Sequence, residues 1–375
     1  MYFRSKPSGE LMSYTLETRP AEALQGQLLK WYSANKREMP WRESSDPYRI
    51  WISEIMLQQT QVKTVTPYFD RFLTRFPDVA ALACASIHDV MKQWEGLGYY
   101  SRARHMHRAA KVIMAEYDGK IPDTYDELIA LPGIGRYTAG AVLSIAFGKK
   151  VPVVDGNVIR VLTRIFHITD STGHSETIDR LWELAEALLP DAQVGAFNQA
   201  LMELGALICR KTPECGRCPV SGRCEARRLS IQDELPVRPP RRRIPHYDVT
   251  AGVIYSDGLL LITLRPPKGL LGGLWEFPGG KVEPGETLTS CLVREISEEL
   301  NIRIAVDSPL ISVEHAYTHF RITLHVFICR YLSGELKTIG CDDYRWIRTE
   351  ELDGFAFPAA DRKVIEKLKQ KEKVL

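Results

Sequence analysis

Two carboxylates in unlike settings carry the first chemistry this sequence offers. Glu54 sits in the apolar stretch "IWISEIMLQQT", flanked by Trp51, Ile52, Ile55, Met56 and Leu57. Burial there raises a carboxyl pKa and poises it as a general acid; a glutamate on the wet face of a helix is the plainer alternative. Asp155, in "VPVVDGNVIRVL", falls between an apolar segment and a new helix. Aspartate is a favoured N-cap there, worth about 1 kcal/mol. The helix start stabilises negative charge, so Asp155 is expected to stay ionised. One carboxyl that carries a proton beside another held ionised is the arrangement for cleaving a glycosidic or N-glycosidic bond through an oxocarbenium-like state.

Two further clusters have metal-binding residue types. Of eight cysteines, Cys209, Cys215, Cys218 and Cys224 form C-x5-C-x2-C-x5-C, whereas Cys84, Cys291, Cys329 and Cys341 are scattered. Four thiols this close are ligands for zinc or an iron–sulfur cluster rather than disulfide partners. Glu295, Glu298 and Glu299 fall at i, i+3 and i+4, one face of a helix. Like charges at these spacings repel by a few tenths of a kcal/mol per pair. Magnesium held by oxygen ligands would neutralise them; a solvated helix with Arg294–Glu298 pairing is the alternative.

The elements that must position these groups divide into two textures. From about residue 21 to 229 the pattern is helical. Val62, Val65, Phe69, Phe72 and Phe76 make a stripe at spacings 3, 4, 3, 4, ended by Pro77. "LPGIGRYTAG" reads as helix, turn, helix. Gly133 and Gly135 permit a tight turn whose N–H groups, with the start of the next helix, suit a phosphate and a bridging cation; a simple C-cap glycine is the alternative. Residues 230–245, rich in Pro and Arg, read as a linker. Beyond it, "YDVTAGVIYSDGLLLITLR" reads as two strands around Asp257-Gly258, and "FRITLHVFICRYL" as another strand. The expected fold is therefore an all-α domain at 21–229, with its cysteine region at 209–224, and an α+β domain at 246–375.

Composition bounds the rest. At 375 residues, 45% apolar and 26% charged, the chain is expected to be globular with two or three domains. No apolar run reaches membrane-spanning length, and residues 1–20 lack a signal-peptide core and read as a disordered tail. A net charge of +2 lends no support to nucleic-acid binding by itself, although residues 236–246 carry four arginines and no acid.

The hairpin, Asp155 and the cysteine cluster together resemble the endonuclease III superfamily of DNA glycosylases. "PWRESSDPYRIWISEIMLQQTQV", "WEGLGYYSRAR", "VDGNV" and "NQALMELGALIC" are similar to its MutY family of adenine glycosylases. The likeness runs from Leu24 to Cys224 and continues beyond. It implies removal of adenine paired with 8-oxoguanine or guanine in double-stranded DNA, by a monomer located in the cytoplasm with the nucleoid. It makes Glu54 the group that protonates adenine and manages the attacking water. Asp155 stabilises the sugar cation, with Asn157 and Tyr137 ordering the site. Trp41, Arg42, Leu57, Val62 and Glu203 line the base pocket. Gln59 and Tyr99 wedge into the duplex, and Gly133, Gly135 and Arg136 hold its backbone, with a monovalent cation at the hairpin. The four cysteines hold a 4Fe–4S cluster, although the first spacing is five residues where the family usually has six. Bifunctional relatives carry a lysine where Tyr137 stands; a phenol forms no Schiff base, so no lyase activity is expected.

In the second domain "GGKVEPGETLTSCLVREISEELNI" resembles the Nudix box, with Asn301 in place of a glycine, which asparagine's tolerance of a left-handed backbone permits. "LWEFPGGKVEPGET" and "FPAADRKVI" are similar to MutT-type hydrolases, with Asp361 where that family reads an oxidised purine. The resemblance implies that this domain recognises 8-oxoguanine through Tyr317, Thr318 and His319. Magnesium-dependent hydrolysis of 8-oxo-dGTP by Glu295, Glu298 and Glu299 is the alternative activity. A non-enzymatic DNA-binding module with a redox cluster is disfavoured by the presence of both Glu54 and Asp155.

Overall fold

A computed structural model describes residues 18–240 and 244–372. Residues 1–17 of the expected tail and Arg241–Arg243 of the expected linker lie outside them. Among the described residues the chain folds as two compact units, one of residues 18–81 and 108–240, the other of residues 82–107 and 244–372. No helix among the described residues is long and apolar enough to cross a membrane.

The first unit is helical, as expected. Pro47–Leu57 starts at Asp46, whose side chain accepts from the Tyr48 N–H, with Pro47 in the first turn. The Val62–Arg75 helix buries Val65, Phe69 and Phe72 of the predicted stripe; Phe76 is buried just past its end, and Val62 is half-buried. Around Val158, Val161, Leu162, Leu181, Phe197, Leu201 and Leu204 a continuous core joins the Gly156–Ile165, Ser175–Ala187 and Val194–Leu207 helices. Deleting one such buried leucine typically costs about 2–5 kcal/mol.

The second unit holds a six-stranded mixed sheet. Its strands are β1 (His246–Ser256), β2 (Leu259–Leu264), β3 (Trp275–Glu276), β4 (Ile302–Ala316), β5 (Arg321–Gly334) and β6 (Asp343–Ile347). The order is β3-β2-β1-β5-β4, with β6 also on β2. β1 and β5 run parallel, and the other pairs are antiparallel. Asp257 (φ 50°) and Gly258 (φ 77°) make the two-residue turn expected between β1 and β2. Alternation along the strands feeds two cores. Ile254, Leu261, Phe327 and Cys329 meet the Leu288–Leu300 helix on one face, while Val253, Leu260, Ile262 and Val326 meet the Ala359–Glu372 helix on the other. The two-residue β3, the long strand β4 and β6 were not foreseen.

Composition put the whole of residues 21–229 in one helical domain, yet residues 82–107 group with the sheet. The reason is directional packing: the Ile87–Trp94 helix turns polar side chains onto backbone atoms of residues 354–357. Such pairing leaves no periodic signature in the sequence.

Candidate active site

Glu54 lies on the inward face of the Pro47–Leu57 helix and is 5% exposed. Burial raises its carboxyl to about 7, against a hydrogen bond from Tyr137, with the nearby Asp155 charge raising it further and Arg42 lowering it. The Tyr137 hydroxyl donates to Oε2 over 2.6 Å. Asp155 caps the Gly156–Ile165 helix. Its Oδ1 accepts from the N–H groups of Asn157 (2.9 Å) and Val158 (2.7 Å), and its Oδ2 from Asn157 Nδ2 (2.8 Å). The cap is as expected. Burial pushes Asp155 above its ordinary range, outweighing the hydrogen bonds and Arg160 that pull it down.

Both carboxylates face one cavity of about 510 Å³, within the roughly 300–1,000 Å³ usual for small-molecule sites. Tyr137, Asn157, Trp41, Arg42, Leu57, Val62 and Glu203 line it too, so all nine residues assigned to catalysis or the base pocket meet there. Trp41 is fixed edge-on against Phe69, with ring centroids 5.3 Å apart. Glu203 does not present free oxygens. Oε1 accepts from Arg37 Nε (2.8 Å) and backbone N (3.0 Å), and Oε2 from Arg37 Nη2 and Arg42 Nη2 (both 2.9 Å). Burial alone would raise the Glu203 carboxyl, but these guanidinium bonds hold it at about 2. Its place is to hold two cations at the cavity wall. Arg37 was missed by sequence reasoning; no local pattern marks a cation whose partner is 166 residues away.

A polar chain runs from this cavity to the cysteines. Asn157, Arg160 and Arg164 follow at i, i+3 and i+7 on one helix face. Arg160 Nη2 donates to Asn157 Oδ1 (2.8 Å) and the Gly205 carbonyl (2.7 Å), while Nε donates to the Cys209 carbonyl (2.6 Å). A Cβ at Gly205 would lie 2.5 Å from that of Asn157. Arg164 is 2% exposed and donates to the carbonyls of Arg210 (2.6 Å) and Lys211 (3.2 Å) and to Cys209 Sγ (3.3 Å). It thereby holds the five-residue loop between the first two cysteines, in which Arg210 pairs with Glu214. Arg160→Met is expected to slow base release about tenfold by loosening Asn157 and Asp155, since a lost hydrogen bond to a charged group is worth about 1.5–3 kcal/mol. Single-turnover rates check this, and an unchanged rate would count against the link.

Cys209, Cys215, Cys218 and Cys224 surround one small cavity walled by Val161, Ile165, Leu204, Ile208 and Val220, and none forms a disulfide. The donor set is sulfur alone. Among the described residues no three His, Cys, Asp or Glu groups converge as for one metal ion.

Of the residues expected to hold DNA, Gln59 and Tyr99 both adopt left-handed backbones, φ 56° and 48°. That region is unusual for side chains of this size and clusters at functional sites. Gly133 (φ 78°) makes the hairpin turn and Gly135 caps the Arg136–Ile145 helix. Arg136 lies 4.2 Å over the Trp182 ring and 3.6 Å from Asp179. In the second unit Tyr317, Thr318 and His319 occupy the turn between β4 and β5, closed by Tyr317 N–H to the Phe320 carbonyl (2.8 Å). They do not form one surface. Thr318 and His319 are exposed, whereas Tyr317 stacks on Phe320 and lines the cavity of the sheet domain. The Thr318 hydroxyl bonds to that of Tyr99.

The three glutamates divide as well. Arg294 binds Glu286 (2.6 Å), Glu295 (3.0 Å) and Glu298 (3.0 Å), so an arginine supplies the neutralising charge. Glu295 and Glu299 line the sheet-domain cavity with Asp361; Glu298 does not. Burial raises Glu299 to about 7, and Glu276 adds to it. Asn301 is left-handed at φ 57°, as expected.

The family model described as HhH-GPD superfamily base excision DNA repair protein matches residues 52–187, and that described as NUDIX domain matches 249–367. The chain is 35% identical to the adenine DNA glycosylase of Rattus norvegicus, over 91% of this chain and 77% of that protein. It is 36% identical to that of Homo sapiens, over 94% and 75%. Against that of Buchnera aphidicola from Schizaphis graminum it is 35% identical, over 80% and 84%. Among solved structures, a thermostable thymine-DNA glycosylase matches with TM-score 0.52 and 31% identity, over 56% of this chain and 98% of that one. A trapped endonuclease III–DNA intermediate matches with TM-score 0.50 over 58% and 100%, and its 20% identity bears on the fold alone.

Proposed function

The chain belongs to the adenine DNA glycosylases of base excision repair, and from that membership we propose that it excises adenine paired with 8-oxoguanine, and with guanine, using Glu54 as acid and base. The observation that carries the assignment is the shared cavity: Glu54, protonatable near pH 7, faces it together with the N-capped Asp155. An extruded adenine enters it, since a base inside the stack is out of reach. Protonated Glu54 gives its proton to N7, and the C1′–N9 bond breaks with the electron pair leaving on the purine. The Asp155 carboxylate faces the sugar cation left behind. Glu54, now ionised, takes a proton from the water that adds to C1′. Tyr137 and Asn157 hold the two carboxylates in place. Trp41, Arg42, Leu57 and Val62 enclose the base, and Glu203 holds Arg42 and Arg37 against it.

Gln59 and Tyr99 fill the space the base leaves. Gly133, Gly135 and Arg136, with a monovalent cation, seat the DNA backbone. Thr318 and His319 meet the oxidised base, and Tyr317 supports their turn from within. Cys209, Cys215, Cys218 and Cys224 hold a 4Fe–4S cluster, as the resemblance to the endonuclease III superfamily implies; their all-sulfur donor set suits it and would equally suit zinc. The protein acts as a monomer in the cytoplasm, with the nucleoid. Magnesium-dependent hydrolysis of 8-oxo-dGTP at Glu295, Glu298 and Glu299 is the less favoured alternative, because the relatives matched over most of the chain are adenine DNA glycosylases.

An abasic-site assay tests this reading. Duplex carrying adenine opposite 8-oxoguanine is expected to break at the adenine only after alkali, and absence of an alkali-labile site would overturn it. Tyr137→Lys is expected to gain strand cleavage without alkali and an adduct trapped by borohydride, since an amine replaces the phenol beside the reacting carbon. An efficient adduct with the unaltered protein would show that the phenol is not what withholds lyase chemistry.

A further inference from the structure

His88, Lys92 and Glu95 follow at i, i+4 and i+7 along the Ile87–Trp94 helix and its C-cap, one stripe on one face. Each meets a different backbone atom of the 354–357 strap, in which Gly354 ends a 3-10 turn and the chain is extended from Phe355. His88 Nε2 lies 2.9 Å from the Gly354 carbonyl oxygen, Lys92 Nζ donates to the Phe355 carbonyl over 2.9 Å, and Glu95 Oε1 accepts the Phe357 N–H over 2.9 Å. Lys92 and Glu95 also pair with each other at 2.6 Å. On the opposite edge of the strap, the Trp275 N–H of β3 donates to the Ala356 carbonyl over 2.9 Å. A carbonyl and an N–H two residues apart on one edge, with the intervening carbonyl on the other, is the hydrogen-bonding pattern of a strand. Two side chains of a helix thus stand where a neighbouring strand would be, and they satisfy an edge that would otherwise be open.

The same helix leads into the turn that carries Tyr99. Trp94 Nε1 donates to the Gly98 carbonyl (3.1 Å), the Tyr100 hydroxyl accepts the Gly96 N–H (3.1 Å), and the Arg102 guanidinium lies 5.3 Å over the Trp94 ring. The turn is therefore stiff from Trp94 onward, and its position follows that of the helix end. Tyr99 in turn bonds Thr318.

We propose that Lys92 and Glu95 are positioning residues for the discrimination of the oxidised base. By clamping the 354–357 strap they fix the Tyr99 turn in register with the β4–β5 turn, so that Tyr99 and Thr318 reach the damaged base as one unit. The inference rests on the assignment of Tyr99 as wedge and Thr318 as reader, and neither Lys92 nor Glu95 touches DNA or the adenine cavity in it.

The test compares single-turnover adenine release from A:8-oxoguanine and A:G duplexes by the full chain. Glu95→Ala removes the acceptor of the Phe357 N–H. It is expected to lower the 8-oxoguanine-over-guanine ratio on the order of tenfold, the scale of a lost buried hydrogen bond to a charged group, with the A:G rate unchanged. Glu95→Gln keeps that acceptor and is expected to retain most of the ratio, and Lys92→Met to lose it as Glu95→Ala does. Thr318→Ala with Glu95→Ala is expected to be no worse than Thr318→Ala alone, because both act through one contact. Equal loss on both duplexes, an unchanged ratio in both Glu95→Ala and Lys92→Met, or effects that multiply in the double variant would overturn the clamp while leaving Thr318 as reader. A ratio untouched by Thr318→Ala itself would overturn the reader assignment, and the clamp with it.

Discussion

Glu54→Gln is expected to bind an A:8-oxoguanine duplex about as well as the unaltered protein and to release adenine ~10⁴-fold more slowly, the upper end of the range for removing one proton-transferring group. Glutamine keeps the shape of the side chain and an oxygen to accept the Tyr137 hydroxyl, now 2.6 Å away. It has no proton for N7 and cannot take one from water. Fluorescence anisotropy and single-turnover release on the same duplex separate the two effects, and near-normal turnover would remove Glu54 from the mechanism. The pH dependence has a definite sign. Release requires the protonated acid, so kcat/KM should decline as pH rises through about 7, the range to which burial lifts Glu54. Stability follows the same titration. A carboxyl raised from 4.5 to about 7 contributes stability fully present below pH 4.5 and lost as pH rises through 7. The shift is worth about 3 kcal/mol. Glu54→Gln should therefore melt higher than the unaltered protein at pH 8 and at nearly the same temperature at pH 4.5.

Asp155→Asn should cost on the order of 10²–10³-fold in release, because one group aimed at developing charge in a water-poor site is worth about 2.7–4 kcal/mol. Two hydrogen bonds survive this change, since the asparagine oxygen still accepts from the N–H groups of residues 157 and 158. The helix cap is therefore kept and the melting temperature should move little. Asp155→Ala removes charge and cap together, and should lose about 1 kcal/mol of stability as well. Equal rates for Asp155→Asn and the unaltered protein would reduce Asp155 to a structural cap.

Local chemistry made most of the site legible. Glu54 among apolar neighbours, Asp155 before a helix and the Val62–Phe76 stripe each carry their signal within a short local window. Their convergence on one cavity followed from the family resemblance rather than from spacing. Long-range polar partners carried no such signal. Arg37 and Glu203, Arg160 and the Cys209 carbonyl, and Lys92 and Phe355 are joined across 166, 49 and 263 residues. Nothing periodic marks either end. The helix start that caps Asp155 is visible in sequence, whereas the burial that raises its carboxyl is a property of the assembled fold. In the second domain the Arg294–Glu298 pairing offered as the alternative is present, and Arg294 also binds Glu295, whereas burial raises Glu299.

The account stands most directly on which base is released and opposite what. Single-turnover adenine release should be measured on duplexes identical except for the partner of one adenine: 8-oxoguanine, guanine, cytosine or thymine. The expected order is 8-oxoguanine fastest, guanine next, and cytosine and thymine near background. Equal release opposite all four partners, or none opposite 8-oxoguanine, would contradict it.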